Sequence, residues 1–309
     1  NPRYPEEQMA KILVCDPIDE KCIKTLEELG YEVHQQTGQD EAALIETVPP
    51  YHAMIVRSAT KVTAKVIAAA ENLKAVLRGG VGIDNIDSAA AKEHGVHVRN
   101  TPAASSHAVA ELALTKMFAL ARKHTLANAS MQAGKWEKKK FKGTELAGKV
   151  LGLIGSGRIG SEVARLASAL GMSVIAYDPF VTTFEFGTLV ESKEDVFKQS
   201  DYISLHVPYN ESTANIVNAE MIELMKPNAF LIQCARGGVV DEAAFAEAAK
   251  EGKIGGGAFD VYAEEPLGDS PLVGGDNIIL TPHMGASTKE AQARIGDELV
   301  DIIKEELPL

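Results

Sequence analysis

The sequence predicts an α/β fold in which two doubly wound parallel-sheet domains have a cleft between them. Short apolar, β-rich runs alternate with amphipathic helical segments along the whole chain, and a polar, lysine-rich loop at residues 134–149 divides them into two series. Such alternation makes consecutive strands parallel and covers both faces of a sheet with helices. A chain of 309 residues is also long enough for about two domains.

The first series runs from the start of the chain to about residue 100. Its predicted strands are residues 11–15, 31–35, 52–57, 74–78 and 96–99. The segment DEKCIKTLEEL (19–29) has the spacing of an amphipathic helix, and Gly30 is predicted to cap its C-terminal end. Apolar residues at helical spacing then predict one long helix, roughly from residue 103 to 131.

The second series begins after the lysine-rich loop. Its predicted strands are residues 149–155, 173–178, 201–206, 229–235, 256–260 and 277–282, and a last helix is predicted over about 287–306. Because this helix follows the second series, we expect it to pack back on the first. The expected domains are therefore a discontinuous one, residues 9–103 plus 287–309, and a continuous one, residues 104–286.

The composition is that of an ordinary globular protein, with 45% hydrophobic and 24% charged residues. A formal net charge of −12 argues against nucleic acid as a partner. No apolar run reaches about 18 residues, so no membrane span is predicted. The N-terminus has no secretory pattern, so we expect a cytoplasmic protein, and residues 1–8 are interpreted as an appended segment because Met9 precedes a clean first strand.

The three cysteines, Cys15, Cys22 and Cys234, form neither a CxxC motif nor a zinc-ligand spacing. A sparse, odd number of cysteines is typical of a reducing compartment, so we expect no disulfide and no metal site. A nucleophilic role for Cys234 has no local support in the sequence, and a small strand residue is the simpler interpretation.

The clearest motif lies in KVLGLIGSGRIG, residues 149–160, where Gly155, Gly157 and Gly160 form a GxGxxG pattern. An apolar strand precedes it and an amphipathic helix follows it, which is the context that makes the pattern typical of dinucleotide binding. The first glycine permits a tight turn, the second lets the backbone approach a pyrophosphate, and the third lets helix and strand pack closely. The helix N-terminus, which includes Arg158 and Ile159, offers N–H groups to the phosphates.

Asp178 ends the next predicted strand of the second series. A carboxylate at this place can accept hydrogen bonds from the adenosine ribose hydroxyls, and it repels a 2′-phosphate. Pro179 and Phe180, which follow it, add no positive charge. The sequence therefore predicts NAD and not NADP as the cofactor. The alternative is a glycine turn that binds nothing.

Three charged residues stand at or beyond the ends of predicted strands in the second series. Arg236 ends the run LIQCA, Glu265 follows the strand at 256–260, and His283 follows the strand at 277–282. Ligands of a doubly wound sheet bind beyond the carboxyl ends of the strands, so these residues are candidates for one site. Each has a simpler interpretation as well: a structural ion pair, a solvated turn residue and a plain loop residue, respectively.

Together the three residues suit the interconversion of a 2-hydroxy acid and a 2-oxo acid. The guanidinium of Arg236 can bind the substrate carboxylate and polarise the reacting oxygen, and Gly237 and Gly238 keep bulk away from it. The imidazole of His283 can exchange a proton with that oxygen near neutral pH. The carboxylate of Glu265 can orient the imidazole and favour its charged form, and NAD carries the hydride.

These residues lie in segments that resemble the D-isomer-specific 2-hydroxyacid dehydrogenases, and the resemblance runs from about residue 10 to the end of the chain. The segments that carry it are VRSATKVT (56–63), GVGIDNID (80–87), NTPAASSHAVAEL (100–112), GKWEKKKFKGTELAGK (134–149), GLIGSGRIG (152–160), CARGGVVDE (234–242), FDVYAEEP (259–266) and PHMGAST (282–288). Two of them, at 56–63 and 134–149, resemble the branch of the family that acts on phosphoglycerate.

The resemblance implies a flavodoxin-like substrate domain, a Rossmann NAD domain and catalytic roles for Arg236, Glu265 and His283. It implies oxidation of D-3-phosphoglycerate to 3-phosphohydroxypyruvate, the first step of serine biosynthesis, by a homodimer or larger homo-oligomer formed through the second domain. It implies cofactor contacts at Val81, Gly155, Gly157, Arg158, Ile159, Gly160, Asp178, Val207, Pro208, Cys234, Ala235, Asp260, Gly285 and Ala286. It implies substrate contacts at Arg57, Ser58, Arg78, Gly80 and Val81.

The chain departs from the family pattern at a few places. Ser105-Ser106 stand where relatives often have Asn-Ser, and Val81 and Val207 stand where threonine is common. None of these departures touches the three proposed catalytic residues. Many relatives also carry C-terminal regulatory domains, and we expect none within these 309 residues.

The sequence alone does not decide among three functional hypotheses. The first is NAD-dependent oxidation of D-3-phosphoglycerate. The second is a reductase for glyoxylate, hydroxypyruvate or another unphosphorylated 2-oxo acid, in which Arg57 and Arg78 would only be surface charges at strand ends. The third, of a different class, is an NAD-sensing protein that binds a peptide with little turnover.

Overall fold

The computed structural model describes residues 9–309, and the interpretation of residues 1–8 as an appended segment lies outside them. The chain divides into two compact units, each built on its own parallel sheet. Unit one contains the described residues up to Ser105 together with Ala286–Leu309, and unit two is Ser106–Gly285. The predicted fold class, two parallel-sheet α/β domains, is confirmed. The substrate-binding role of unit one stays a prediction.

The elements alternate along the chain as the sequence predicts. The strands are β1 (Lys11–Val14), β2 (Glu32–Gln35), β3 (Ala53–Val56), β4 (Ala75–Arg78), β5 (His97–Asn100), β6 (Val150–Ile154), β7 (Ser173–Tyr177), β8 (Thr188–Leu189), β9 (Tyr202–Leu205), β10 (Phe230–Gln233), β11 (Gly256–Phe259) and β12 (Ile278–Leu280). The helices are α1 (Glu20–Glu28), α2 (Glu41–Thr47), α3 (Ala64–Ala69), α4 (Ser88–Glu93), α5 (Ser106–Ala121), α6 (His124–Gln132), α7 (Arg158–Ala169), α8 (Lys193–Gln199), α9 (Ala219–Glu223), α10 (Glu242–Lys250) and α11 (Lys289–Glu306), and Lys138–Phe141 forms a 3₁₀ turn. Within residues 9–309, no helix combines the length and the apolar character needed to cross a membrane.

The sheet of unit one has five parallel strands in the order β2-β1-β3-β4-β5. Its central strand β3, AMIV, is buried throughout, because helices cover both faces of a parallel sheet. The helices begin at polar caps, as where the carboxylate of Asp40 accepts the N–H of Ala43 and so satisfies a backbone donor of the first turn of α2.

Helix α11 closes the core of unit one. Thr288 caps it by accepting the N–H of Ala291, and the buried face includes Ile295, Leu299 and Ile303. This face packs with residues of α1 and of the sheet. The last helix of the chain therefore belongs to the same unit as the first strand, as its amphipathic spacing favours.

The sheet of unit two has seven parallel strands in the order β12-β11-β10-β9-β6-β7-β8. After β6 the chain adds β7 and β8 on one side and then returns to place β9 on the other side. Strand order reverses there, and the carboxyl end of β6 is thus a topological switch point, where doubly wound sheets bind their ligands.

Two local features differ from the sequence predictions. The single helix expected from about 103 to 131 is two helices, α5 and α6, because Lys123 takes a left-handed conformation with φ of 48° between them. The carbonyl of Ala121 at the end of α5 accepts the N–H of Thr144 instead of continuing the helix, with N and O 2.9 Å apart. Strand β8 was not predicted, since two residues are too few to show a periodic pattern.

Candidate active site

The glycine-rich segment follows β6 at the switch point of unit two. Gly155 has a positive φ of 93°, and a side chain there would collide with the carbonyl oxygen of His206. Gly160 packs so closely on the carbonyl of Gly155 that no Cβ would fit. A Cβ built on Gly157, by contrast, would meet no atom of the described residues within 4 Å. Two glycines thus serve packing, and the third leaves space beside the backbone.

Asp178 ties this loop to the end of the neighbouring strand β7. Its Oδ2 accepts the N–H of Ser156 at 2.8 Å and the Ser156 hydroxyl at 3.2 Å. Its Oδ1 accepts the N–H of Phe180 at 3.0 Å. The carboxylate therefore holds the turn after β7 and the glycine-rich loop at adjacent strand ends.

The residues present fit a dinucleotide at this place. Helix α7 begins directly after Gly157, which supplies no side-chain cap, so the first-turn N–H groups have no partner from the cap residue. Open space at Gly157 lets a pyrophosphate approach these donors. Oδ1 of Asp178 accepts one hydrogen bond, from the N–H of Phe180, and has capacity for another, as a ribose hydroxyl would require. Pro179 and Phe180 bring no cation for a 2′-phosphate.

A buried glutamine holds the turn that carries Arg236. The side chain of Gln233, which is 1% exposed, accepts the N–H of Ala235 at 3.0 Å and donates to the carbonyl of Arg236 at 2.8 Å. Nη1 of Arg236 donates to the carbonyl of Ala235 at 2.6 Å. These hydrogen bonds fix the backbone at the end of β10, from which the side chain of Arg236 extends.

The two glycines after Arg236 have a more specific reason than the expected absence of bulk. A Cβ on Gly237 would collide with the backbone carbonyl of Tyr262. Gly238 has a positive φ of 80°, and a Cβ there would lie 2.8 Å from the ring of Tyr209. Close packing of neighbouring backbone and ring atoms therefore requires both glycines.

Glu265 and His283 are hydrogen bonded to each other within unit two. Nδ1 of His283 lies 2.6 Å from Oε2 of Glu265. An ionised carboxylate can only accept, so Nδ1 carries the hydrogen and Nε2 is the nitrogen available for proton exchange. The other carboxylate oxygen accepts the N–H of Tyr262 at 3.1 Å, which orients the carboxylate. About a third of each side chain is exposed, 34% for His283 and 33% for Glu265, so small molecules can reach the pair.

Several effects act on the pKa of Glu265. Burial raises it, but the hydrogen bond and charge of His283, the N–H of Tyr262 and the charge of Arg236 outweigh burial and hold the pKa below the usual 4.5. Glu265 is therefore a carboxylate at neutral pH. Because the charge of Arg236 acts on the same carboxylate that binds His283, the structure brings the three predicted residues together in one electrostatic environment.

A buried aspartate anchors the loop that carries His283. Asp260 is 2% exposed, and its Oδ1 accepts the hydroxyl of Thr281 at 2.6 Å and the N–H of Met284 at 3.0 Å. Its Oδ2 accepts the N–H of Gly285 at 2.9 Å, and its backbone carbonyl accepts the N–H of His283 at 2.8 Å. These bonds support a φ of 48° at His283, which is uncommon for a residue other than glycine.

Other predicted cofactor residues lie near the same edge of the sheet. Val207 and Pro208 follow β9, and Cys234 and Ala235 follow β10 and are buried. Burial raises the pKa of the Cys234 thiol to about 12, so the thiol is protonated at neutral pH and is a poor nucleophile. Ala286 is the first residue of the returning segment of unit one. The contacts of these residues with a cofactor stay predictions.

The predicted substrate residues occupy neighbouring strand ends in unit one. Val56 pairs in register with Arg78, so Arg57 lies just beyond the end of β3 and beside the end of β4. The N–H of Arg57 donates to the carboxylate of the buried Asp16 at 2.5 Å. Its Nε is buried and has no hydrogen-bond partner among residues 9–309. Ser58 follows and is exposed.

The loop after β4 continues this surface. Gly80 has a φ of 148°, and the guanidinium of Arg78 occupies the space where a side chain of Gly80 would lie. The carbonyl of Val81 accepts a hydrogen bond from the side-chain amide of Asn100. Two guanidinium groups from adjacent strands offer an arrangement that suits an anion.

Three residues that hold the site were not predicted from the sequence. These are Gln233, Thr281 and Lys116. Lys116 is 2% exposed, and its ammonium donates to the Thr281 hydroxyl at 2.6 Å. The sequence carried one signal for it, a lysine within the apolar helical segment ALTKMFALA. Polar residues at strand ends are common, so Gln233 and Thr281 carried no comparable signal.

Comparison with known proteins places these features in one family. Residues 114–285 match the family model for the NAD binding domain of the D-isomer specific 2-hydroxyacid dehydrogenases. The D-3-phosphoglycerate dehydrogenase of Methanocaldococcus jannaschii is 49% identical over 303 residues, which cover 97% of this chain and 58% of that protein. The hydroxypyruvate reductase of Thermotoga maritima is 46% identical over 302 residues, which cover 96% of this chain and 98% of that protein.

The chain spans little more than half the length of the phosphoglycerate dehydrogenases that it matches.

Solved structures of other proteins have the same fold as this chain. A glyoxylate reductase from Paecilomyes thermophila superposes with a TM-score of 0.88 at 27% identity, covering 98% of this chain and 96% of that one. The D-lactate dehydrogenase from Aquifex aeolicus, complexed with NAD and lactic acid, superposes with a TM-score of 0.84 at 29% identity. The superposition covers 95% of this chain and 94% of that one. The resemblance found in the sequence is confirmed: this chain belongs to the D-isomer specific 2-hydroxyacid dehydrogenases.

Proposed function

We propose that this chain catalyses the NAD-dependent oxidation of D-3-phosphoglycerate to 3-phosphohydroxypyruvate. The observation that carries the proposal is the 2.6 Å hydrogen bond between Nδ1 of His283 and Glu265, beside the charge of Arg236. An oriented acid–base residue next to a fixed cation is what the interconversion of a 2-hydroxy acid and a 2-oxo acid requires. The names of several relatives support the phosphorylated substrate.

The proposed mechanism assigns one task to each of the three residues. Nε2 of His283 takes the proton of the C2 hydroxyl, and the carboxylate of Glu265 stabilises the imidazolium that forms. The guanidinium of Arg236 binds the substrate carboxylate and polarises the C2 oxygen as it becomes a carbonyl. The glycine-rich loop and Asp178 would hold NAD, which would supply the acceptor for the hydride from C2. In the reverse direction, His283 returns the proton to the carbonyl oxygen.

The cofactor contacts are proposed at the glycine-rich loop and the strand ends of unit two. The N–H groups of Gly157, Arg158 and Ile159 would bind the pyrophosphate. The carboxylate of Asp178 would bind the adenosine ribose and disfavour NADP, since no cation follows it in the sequence. The further contacts proposed are those of Val81, Val207, Pro208, Cys234, Ala235, Asp260, Gly285 and Ala286.

The phosphate of the substrate is assigned to unit one. Arg57 and Arg78 come from adjacent strands, and Arg57 keeps a buried Nε donor for which the described residues supply no acceptor. Burial also lowers the pKa of the Arg57 guanidinium, although Asp16 opposes this effect. A bound phosphate would accept from Nε of Arg57 and would add its negative charge to that of Asp16 near the guanidinium. We therefore assign the phosphate to Arg57 and Arg78. Ser58 and the backbone of Gly80 would lie beside it.

The second candidate is a hydroxypyruvate reductase. The Thermotoga maritima relative with that name is matched over 98% of its length, whereas the phosphoglycerate dehydrogenases are matched over little more than half. This candidate would use the same cofactor and the same three catalytic residues. It differs in its substrate, which has no phosphate and therefore does not need Arg57 for binding.

The two candidates are separated by the variant Arg57→Ala. If the phosphate binds at Arg57, kcat/KM for D-3-phosphoglycerate falls by about ten-fold to 100-fold, the value of one or two charge-assisted hydrogen bonds. The control is Arg99→Ala, since Arg99 lies on β5, two strands from β3 in the same sheet, and is paired with Glu305 and Glu306. Equal activity of Arg57→Ala and Arg99→Ala on the phosphorylated acid would favour the reductase.

We further propose that two copies of the chain associate through unit two. Helix α6 and the loop after it expose three large apolar side chains, those of Leu126, Met131 and Trp136, and Trp136 is 80% exposed. Exposed apolar clusters commonly mark protein–protein interfaces. Light scattering of the wild type and of Trp136→Lys tests this, with a dimer expected for the first and a lower mass for the second. A monomeric wild type would contradict it.

A further inference from the structure

A lysine is buried in the interior of unit two. Lys116 lies on α5 in the segment ALTKMFALA and is only 2% exposed. Its Nζ donates to the backbone carbonyl of Phe259 at 3.0 Å and to the hydroxyl of Thr281 at 2.6 Å. Taking an ammonium out of water costs on the order of several kcal/mol. An apolar residue at this position of the helix would therefore stabilise the folded state more than a lysine does.

The polar contacts of Lys116 lead to the loop of His283. Thr281 accepts from Lys116 and donates its own hydroxyl to Oδ1 of Asp260 at 2.6 Å. The same carboxylate accepts the N–H groups of Met284 and Gly285, which follow His283 directly. A continuous chain of hydrogen bonds therefore runs from the ammonium to the segment around His283. It reaches Thr281, two residues before His283, and then, through Asp260, the two residues after it.

Lys116 and Asp260 lie in the same buried region of unit two. Each is 2% exposed, and the hydroxyl of Thr281 joins their side chains. Burial lowers the pKa of Lys116, and the charge of Asp260 opposes this effect without cancelling it. The other titratable group that acts on Lys116 is the thiol of Cys234, whose pKa of about 12 leaves it uncharged at neutral pH.

We propose that Lys116 is a positioning residue, which holds the His283 loop in its productive geometry through Thr281 and Asp260. The inference rests on the proposed function, in which His283 exchanges the proton. Lys116 touches neither substrate nor cofactor in this account. Its ammonium fixes the hydroxyl of Thr281, which donates to Asp260, and Asp260 accepts from both N–H groups after His283.

The test uses Lys116→Met, Thr281→Val, the double variant and a matched control, Met117→Leu. Met117 is the next residue of α5 and is fully buried, so the control perturbs the same core without a polar contact. Each protein is assayed for kcat and for the KM of NAD. Hydrogen–deuterium exchange of the peptide that covers residues 281–286 provides a measurement that does not depend on activity.

We expect Lys116→Met to lower kcat by about ten-fold and to speed exchange of the 281–286 peptide by about as much, because a loosened loop misplaces the imidazole. The KM of NAD should rise by less than kcat falls, because the glycine-rich loop and Asp178 are untouched and only the proposed contacts at Asp260, Gly285 and Ala286 lie in the loosened region. Thr281→Val has the same two effects, and the double variant is no worse than the worse single one, because both act on one chain. Met117→Leu changes neither quantity.

Wild-type kcat and wild-type exchange in Lys116→Met would overturn the inference. If that variant does not fold, Thr281→Val decides alone by the same two criteria. An exchange change without a change in kcat would make Lys116 a structural residue and also overturn the proposal. A wild-type protein with no turnover on any 2-hydroxy acid would refute the proposed function, and the exchange data would then show separately whether Lys116 holds the loop.

Discussion

The imidazole of His283 donates from Nδ1 to the carboxylate of Glu265 across 2.6 Å, although the two residues come from different strand ends. The bond selects the tautomer that leaves Nε2 for chemistry. The N–H of Tyr262 holds the second carboxylate oxygen. Orientation of the acid–base group is therefore built into unit two.

Replacement of His283 by alanine tests the acid–base role. We expect kcat to fall by about 10²-fold to 10⁴-fold, the usual contribution of a positioned acid–base residue. NAD affinity, followed by fluorescence titration, should stay close to that of the wild type because the glycine-rich loop is intact. His94→Ala, at an exposed histidine of unit one, is the control. An unchanged kcat in His283→Ala would refute the role.

Replacement of Glu265 by glutamine separates charge from hydrogen bonding. The amide oxygen can still accept from Nδ1, but it cannot stabilise the imidazolium, so kcat should fall by about 100-fold. The control is Glu264→Gln, at the exposed neighbouring residue. Steady-state kinetics of both variants decide the matter. If Glu264→Gln lost as much activity as Glu265→Gln, the pairing seen in the structure would not be the functional one.

Cofactor choice is predicted to depend on Asp178. Asp178→Asn removes the charge and keeps one acceptor oxygen, which can serve the N–H of Ser156 while the amide NH2 replaces the oxygen that accepts from Phe180. We expect the KM of NAD to rise by about ten-fold and the kcat/KM of NADP to rise, because the repulsion of a 2′-phosphate is relieved. Glu191→Gln, at an exposed carboxylate of the same unit, should change neither constant. A wild type that prefers NADP would contradict the assignment.

The stability of unit one is predicted to depend on the charge of Glu306. Burial raises the pKa of this carboxyl, but the hydrogen bonds and charges of His97 and Arg99 outweigh it and hold the pKa below 4.5. A lowered pKa in the folded state adds stability above the unfolded value, and this stability is lost as pH falls through the folded pKa. Glu305, also paired with Arg99, is the neighbouring charge.

The variant Glu306→Gln measures this contribution. Near pH 7 it should be destabilised by about 1–2 kcal/mol of unfolding free energy, as for a half-buried charge-assisted pair. The difference between wild type and variant should shrink below about pH 4.5 and vanish at lower pH. Thermal melts across that range give the curve, with the exposed Glu46→Gln as control. A difference that does not change with pH would point to packing and not to charge.

Most strands could be predicted from the sequence because parallel strands buried on both faces are short apolar runs. The run AMIV forms β3 and the run VLGLI forms β6, and their bounds differ from the predicted ones by about one residue. The glycine-rich loop could also be predicted, because each of its glycines answers a local requirement of the backbone. Arg236 and His283 stood out as charged residues at the ends of apolar strands.

The remaining features depend on contacts between distant segments, which periodicity does not report. The break at Lys123 is supported by Thr144, which satisfies the last carbonyl of α5 from the lysine-rich loop. The chain of bonds from Lys116 through Thr281 to Asp260 joins a helix to the ends of two strands. None of these pairs could be recognised without the three-dimensional arrangement.

The most direct test of the proposed function is the formation of NADH by the wild-type protein from D-3-phosphoglycerate, measured beside D-glycerate and D-lactate at equal concentrations and alkaline pH. We expect a kcat/KM for the phosphorylated acid at least about ten-fold above that for either of the others, and we expect Arg57→Ala to remove this preference. Faster oxidation of an unphosphorylated acid would contradict the substrate assignment and favour the reductase. Tight NADH binding without turnover of any of the three acids would contradict the enzyme itself and favour an NAD-sensing protein.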